Sequence, residues 1–435
     1  VARERDAAVV VLGGGPAGSA AAALLAEAGV ETLLVDDGRP VAVHAGASLV
    51  PHALPLLDRL GVHDAVRALP GTLVKEGATF VTHDGARRVS YRYADALPPA
   101  IPHAYHVPRE DLAAVLLANA RARGAEVLSG WRAVSPQWDG GRLIGLLARD
   151  AGGAEVVLHP RVLLDASGRQ SFLADRMGWR FPYPRHRKLA LCSRWRGVRP
   201  AAGREAGNVE VVLTRAGWFR LLPFADGTAS VECVLDERRW GAEGGSPEAM
   251  LAAAVARTPG MAVRLAGAER IGGAAIARDF SYRVMRTAGD GYCLLGDAAG
   301  FLDPIFSTGV LVALATGASA ADDAIDALRR HRRVEANDFA PTMALTRTLH
   351  RSVFSFIRAF YNPHFLPFFF HPRQAPGMPA AVVSLLAGDV LRPGCRMLSG
   401  RFRLLLAAAQ LQRLGMRWGR PLVPPLAETP GGAAA

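Results

Sequence analysis

The chain runs to 435 residues, of which 50% are apolar and 21% charged, with a formal net charge of +12. That length exceeds one simple core and points to two or three packed units. The balance is that of a globular enzyme and excludes a disordered or fibrous chain. No apolar run approaches the roughly 20 residues that span a bilayer, and the opening VARERDAAVVVLGGGPAG lacks the parts of a secretory signal, so a cytoplasmic protein with no transmembrane segment is expected.

The positive charge is almost all arginine: of 51 basic residues only Lys75 and Lys188 are lysines. The densest runs, Arg185-His186-Arg187-Lys188 and Arg329-Arg330-His331-Arg332-Arg333, are not interleaved with aromatic residues. This argues against nucleic acid and leaves a solvated helix end or a dock for an acidic partner. Cys192, Cys233, Cys293 and Cys395 are far apart and lack CxxC spacing, so structural thiols are expected, with no disulfide and no metal site.

In chain order, Ala8–Leu12 reads as a β-branched strand, Gly13-Gly14-Gly15-Pro16-Ala17-Gly18 as a glycine turn, and the Ala/Leu run to Ala28 as a helix capped by Gly29. Glu31–Val35 follows as a second strand ending in the carboxylate of Asp36. GxGxxG between a strand and a helix, with an acidic strand end after it, is a dinucleotide fingerprint. The glycines let backbone approach a pyrophosphate, the helix N-terminus meets its charge, and Asp36 accepts from ribose hydroxyls. A helix opens within Val107–Leu112, runs to about Arg123 and leads to a strand at Ala125–Ser129. Leu163-Leu164-Asp165-Ala166-Ser167-Gly168 reads as a buried strand ending in a turn. Val89–Tyr93, Lys188–Gly197, Asn208–Thr214, Gly217–Pro223 and Thr228–Leu235 have the rhythm and turn chemistry of antiparallel strands, predicting a second sheet inserted into the dinucleotide domain. Tyr292–Leu295 is another strand, and Gly296-Asp297-Ala298-Ala299-Gly300 places a carboxylate at its end. An apolar helix from Gly309 then offers free N–H groups to an electron-rich ring edge. From about Asn337 the pattern is helical and apolar. It includes Phe365–Phe370, which reads as core or as the border of a dock, then helices around Ala380–Leu391 and Arg401–Arg413, and a loose tail at Pro421–Ala435.

GGGPAG, the acidic strand end, Arg109, DASG and GDAAG in this order resemble an FAD-binding aromatic monooxygenase. Phe301-Leu302-Asp303-Pro304-Ile305-Phe306-Ser307-Thr308-Gly309 resembles the Phe-x-x-Pro-x-x-Ser-x-Gly signature of flavin-dependent halogenases and their halogenase-like monooxygenase relatives. Gly46-Ala47-Ser48-Leu49 with Pro51 resembles their flavin-side loop, and Val74–Phe80 their lysine segment. Phe360–Pro363 and Leu386–Asp389 resemble the wider group. The resemblance implies an α/β (α+β) fold: a Rossmann-like FAD-binding domain of the aromatic hydroxylase type, an inserted antiparallel substrate-side sheet and a C-terminal helical region. The implied boundaries are 1–80, 101–180 and 281–336 for the FAD-binding domain, 81–100 and 181–280 for the sheet domain, 337–420 for the helices and 421–435 for the tail.

Carried over residue by residue, the resemblance implies that Gly13, Gly15, Pro16, Ala17 and Gly18 cradle the FAD pyrophosphate and that Asp36 binds the adenosine ribose. Arg109 and Asp297 would hold the ribityl–phosphate region. Pro304, Ser307, Thr308, Gly309 and Val310 would line the isoalloxazine, with Ser48 closing over its other side. Lys75 is implied as the catalytic residue, a desolvated amine able to give up a proton as a guanidinium cannot. A separate flavin reductase or other electron donor is implied too, in keeping with the lack of a second GxGxxG.

Trp218, Arg220 and Phe306 fall on the substrate side, and two of them depart from the family pattern. Halogenases carry Trp-x-Trp-x-Ile-Pro where this chain has Trp218-Phe219-Arg220-Leu221-Leu222-Pro223. Arg220 either lines the wall or turns to solvent and pairs with a carboxylate. Phe306 stands where tryptophan halogenases carry Glu, and Ala47 where Glu is common. These departures put a monooxygenase first: an FAD C4a-hydroperoxide hydroxylating an electron-rich ring. The nearest resemblance in that reading is to the peptidyl tryptophan hydroxylases of tryptophylquinone maturation, with a protein or tethered aromatic substrate. The alternative is a flavin-dependent halogenase of a pyrrole or phenol, carried by an acyl carrier protein, and a third reading is a non-catalytic flavoprotein scaffold. A narrow closed space at Lys75 favours halogenation, and a wide mouth favours a protein-sized substrate.

Overall fold

The first strand occupies Arg3–Leu12 and pairs in parallel with Glu155–Asp165 on one side and Thr32–Asp36 on the other. Val9, Val10 and Val11 have no exposed surface, as a central parallel strand covered on both faces requires. The strand starts earlier than the predicted Ala8 because backbone pairing with Glu155–Asp165 continues through Arg3–Asp6, where the side chains carry no apolar signal. The coordinates are a computed structural model that describes residues 3–39, 46–183, 188–240, 245–278, 281–330, 333–371, 378–390 and 396–417, with 422 and 426. Arg185, His186, Arg187, His331, Arg332, Cys395 and almost all of the tail from Pro421 lie outside the described residues.

The 8-stranded sheet runs Ala288–Gly289, Tyr292–Leu294, Glu155–Asp165, Arg3–Leu12, Thr32–Asp36, Glu126–Ser129, with the hairpin Arg132–Asp139/Arg142–Arg149 laid antiparallel on Glu155–Asp165. Val9 and Val11 face a core shared with the helices, and Val10 and Leu12 face a second core containing Trp138, Trp179 and Tyr292. On the first face the helix Pro16–Glu27 packs between Arg109–Ala122 and Gly309–Arg330.

A 7-stranded sheet runs Glu269–Arg278, Lys188–Arg196, Thr228–Asp236, Gly217–Pro223, Val209–Leu213, Gly77–Val81, Arg88–Arg92. The alternation-based strands fall within a residue or so of their predicted places. Gly77–Val81 was not predicted as a strand; it joins in parallel, Ala78 opposite Val209. A small antiparallel sheet of Gly46–Ser48, Ala104–Pro108 and Leu73–Lys75 stands beside these two. The C-terminal helices are Ala340–Phe360, Leu366–Phe370, Met378–Leu386 and Arg396–Arg417. Phe365, Leu366, Phe369 and Phe370 are buried, Phe369 meeting Phe80 edge-on at 4.7 Å. That segment is core, not the border of a dock. No helix among the described residues is long and apolar enough to cross a membrane.

The helices Pro16–Glu27 and Gly309–Arg330 approach so closely that a Cβ on Gly317 would lie 2.4 Å from the Ala17 carbonyl oxygen. Gly317→Ala is therefore expected to push the helices apart and cost about 1–3 kcal/mol, as overpacking does, read as a lowered urea-unfolding midpoint.

Candidate active site

At one end of the site the backbone needs glycine. Gly13 has φ +107, and a Cβ there would lie 2.5 Å from the Ala166 carbonyl oxygen. Gly15 is the N-cap of Pro16–Glu27 and has no side chain to satisfy the first-turn N–H groups. Nothing lies within 4 Å of the place its Cβ would take. A helix N-terminus left uncapped beside open space is what an anionic pyrophosphate fits. The Asp36 carboxylate stands next to it, with the Gly14 N–H 3.4 Å from Oδ1. Gly13, Gly15, Pro16, Ala17, Gly18 and Asp36 thus lie together at this helix start. Arg109 opens its helix, and Asp297 lies in the turn Gly296–Ala299. Burial pushes the Asp297 carboxyl up, while Arg109 and Arg169 pull it down, which places these groups in one neighbourhood.

At the other end, Pro304–Phe306 forms a single turn capped by Asp303, whose Oδ1 accepts from the Ile305 N–H at 3.1 Å. Ser307 then takes a left-handed conformation (φ +58), unusual for a residue other than glycine, before Thr308 and the helix from Gly309. Gly309 is exposed and Val310 half-buried at that helix start. Arg220 holds this loop: Nη1 donates to the Pro304 carbonyl at 2.9 Å and to Ser307 Oγ at 3.3 Å, and Nη2 donates to Glu232. Arg220 is 8% exposed. The carboxylate partner is real, but Arg220 itself is buried and Glu232 only partly exposed, so the guanidinium does not turn to solvent.

Lys75 is 0% exposed and donates to Ser48 Oγ at 2.7 Å. Its Nζ lies 5.5 Å from the centre of the Tyr93 ring. Burial, helped by the Arg220 charge, holds its amine well below the ordinary lysine range. A small cavity meets the amine, walled by Phe80, Tyr93, Ile305, Phe306 and Ser307. Phe306 is fixed in that wall by stacking on Phe356 at 4.0 Å. Trp218 is not among the cavity walls. It is fully buried behind the loop, its Nε1 donating to the Tyr361 hydroxyl at 2.7 Å, which donates to Asp303 Oδ2 at 2.6 Å. The second lysine is internal too: Lys188 Nζ lies 3.0 Å from Asp236 and 4.3 Å from the Tyr361 ring centre.

The sequence reading missed His106, Tyr93, Tyr361, Asp303 and Glu232. Asp303 and Tyr361 sat inside quoted segments, but nothing in their spacing said that they bond to each other. His106 lies three residues before Arg109, and only strand pairing reveals its neighbours.

Two outcomes follow from this geometry. Gly15→Ala is expected to leave the apoprotein fold intact, since its Cβ meets open space, while weakening FAD binding at least about fivefold, as crowding worth about 1 kcal/mol or more would do, by fluorescence titration. In the unfolded chain the Lys75 amine keeps its proton up to near 10.5, whereas in the fold it releases it at lower pH. Between those values the unfolded chain binds more protons, so stability rises with pH across that window. Lys75→Met is expected to be more stable than the parent near neutral pH and to flatten that slope, measured by urea unfolding at stepped pH.

A family model described as FAD binding domain matches residues 6–327, from the first strand through the helix that starts at Gly309. The chain is 26% identical over 430 residues to a 1H-pyrrole-2-carbonyl-peptidyl-carrier-protein chlorinase of Pseudomonas fluorescens, covering 94% of each. It is 27% identical over 330 residues to the corresponding brominase of Pseudoalteromonas luteoviolacea, covering 72% of this chain and 76% of that one. A solved flavoprotein/dehydrogenase from Cytophaga hutchinsonii superposes with a TM-score of 0.85 at 25% identity, over 95% of this chain and 100% of that one. With the Gly13–Gly18 turn, Asp36 and the Pro304–Val310 segment all inside the matched span, the chain belongs to the FAD binding domain family and is an FAD-dependent oxidoreductase of the halogenase-like type.

Proposed function

We propose that the protein is a flavin-dependent halogenase whose substrate is a pyrrole presented on a carrier protein, supplied with reduced flavin by a separate reductase. The observation that carries this reading is the complete burial of Lys75 at a small cavity. A polypeptide side chain would need an open mouth to reach that amine, whereas a small oxidant can pass. The sequence alone placed hydroxylation of a protein tryptophan first. The enclosed lysine, together with the carrier-protein chlorinase and brominase among the relatives, reverses that order.

Bound FAD supplies the oxygen-activating chemistry, held by Gly13–Gly18, Asp36, Arg109 and Asp297 at its phosphate and sugar parts and by Pro304–Val310 at its ring. The chain's own residues divide the remaining work. Phe80 and Phe306 keep water out, which strengthens every electrostatic contact inside. Arg220, always charged, fixes the Pro304–Ser307 turn and favours an anion beside it. Lys75, its amine oriented by Ser48, donates a hydrogen bond or moves a proton at Nζ.

The test uses the FAD-loaded protein, a reductase, a pyrrole-2-carbonyl carrier protein and chloride or bromide, read by intact-protein mass. Halogen in place of hydrogen supports the proposal. Added oxygen without halogen sinks it in favour of hydroxylation. Lys75→Met is expected to retain FAD and lose product by about a hundredfold or more, and Lys75→Arg to give no rescue because guanidinium keeps its proton.

A further inference from the structure

Trp218 keeps the first position of the tryptophan motif, yet it is absent from the walls of the cavity at Lys75. Its Nε1–H can only donate, so the Tyr361 hydroxyl oxygen accepts from it, at 2.7 Å. The single proton of that hydroxyl turns to Asp303 Oδ2, at 2.6 Å. Oδ1 of the same carboxylate accepts from the Ile305 N–H at 3.1 Å. Trp218 and Asp303 are both buried, so a partner lost from this chain of bonds is not readily replaced by water. Packing alone would be served by phenylalanine at 361; the hydroxyl is used for its two hydrogen bonds.

Both ends of the chain of bonds are anchored. Tyr361 follows the last residue of Ala340–Phe360, and its N–H donates to the Ile357 carbonyl at 3.1 Å. Lys188 Nζ lies 4.3 Å from the centre of its ring and is itself paired with Asp236 at 3.0 Å. At the other end Asp303 caps the turn Pro304–Phe306. Ser307 closes that turn at φ +58, its N–H donating to the Pro304 carbonyl at 3.0 Å. A left-handed residue other than glycine persists only where its surroundings hold it. Arg220 grips the turn at Pro304 and Ser307, and Asp303 grips it at Ile305. The Tyr361 hydroxyl joins the second grip to the end of the C-terminal helix Ala340–Phe360.

We propose that Tyr361 is a positioning residue for bound FAD, acting through Asp303 on the segment Pro304–Val310. Its hydroxyl keeps the carboxylate aimed at the Ile305 N–H. The turn held in this way delivers Ser307, Thr308 and the start of Gly309–Arg330 in one geometry. Tyr361 is not among the cavity walls, and no bond is made or broken at it. The inference rests on the reading that Pro304–Val310 borders the flavin ring. It does not depend on halogen or oxygen being the atom transferred.

Tyr361→Phe removes one oxygen atom and leaves the aromatic ring in place. In the FAD-loaded protein it is expected to alter the visible circular dichroism of the bound flavin. In titration it is expected to weaken FAD binding about fivefold or more, the scale of one buried hydrogen bond lost. Asp303→Ala, or Asp303→Ser should the first not fold, is expected to do at least as much, since neither side chain reaches the Tyr361 hydroxyl. In either background Tyr361→Phe is expected to add less than about twofold, because its effect passes through Asp303. Additive losses overturn the proposal. So does a Tyr361→Phe protein with a lowered urea midpoint but unchanged flavin signal and affinity, which is what a purely structural hydroxyl would give. An Asp303 variant that shifts the flavin while Tyr361→Phe does not overturns this inference alone. If neither shifts it, the placement of the ring beside Pro304–Val310 falls as well. Product is not measured, so the halogenation test stands apart from these outcomes.

Discussion

The helices that open at Gly15 and at Gly309 are held against each other by a contact made with almost no side chain. Gly317 lies against the Ala17 carbonyl, and Gly296 fits between Ala17 and Ala313. Through this seam the helix that opens at Gly15 and the helix that opens at Gly309 hold fixed positions relative to each other. The parallel sheet sets their directions, since Arg3–Leu12 feeds the first, and Tyr292–Leu294 leads through the Asp297 turn toward the second. Side chains of ordinary size at the seam would separate the two ends of the site.

The interior charges explain why the chain keeps its only two lysines. A guanidinium stays charged, so a buried Arg220 needs Glu232, a backbone carbonyl and a hydroxyl around it. An ammonium can discharge instead. Lys75 sits fully buried with a serine hydroxyl and an aromatic ring beside it, where burial favours the neutral amine. Lys188 takes the other solution and pairs with Asp236. Arginine serves the surface and the fixed internal charge; lysine stands where the charge has to be compact.

The C-terminal helices hold the Asp303–Ser307 turn from behind. Tyr361, at the end of Ala340–Phe360, accepts from Trp218 and donates to Asp303, and Asp303 caps the turn that delivers Ser307 into its left-handed conformation. Phe306 is held by Phe356 and Phe360 from the same helix. The tryptophan that survives from the family motif thus works as a brace, and the arginine that replaces its neighbour works as a clamp on the same turn.

Local chemistry made much of this legible in the amino-acid order alone. Glycine at φ +107, an uncapped helix start and a carboxylate at a strand end are consequences of neighbouring residues, so the strand–glycine turn–helix unit could be placed from spacing. Strands with period-two alternation, such as Gly217–Pro223, were legible for the same reason. The site around Lys75 was not. Ser48, His106, Arg220 and Ser307 are far apart along the chain, and only strand register and the crossing of Gly77–Val81 beside Val209–Leu213 gather them. Whether Arg220 faced inward, whether Lys75 was dry, and how wide the space before it is were all decided by tertiary structure, because burial and charge proximity belong to the folded ensemble of neighbours and not to any one segment.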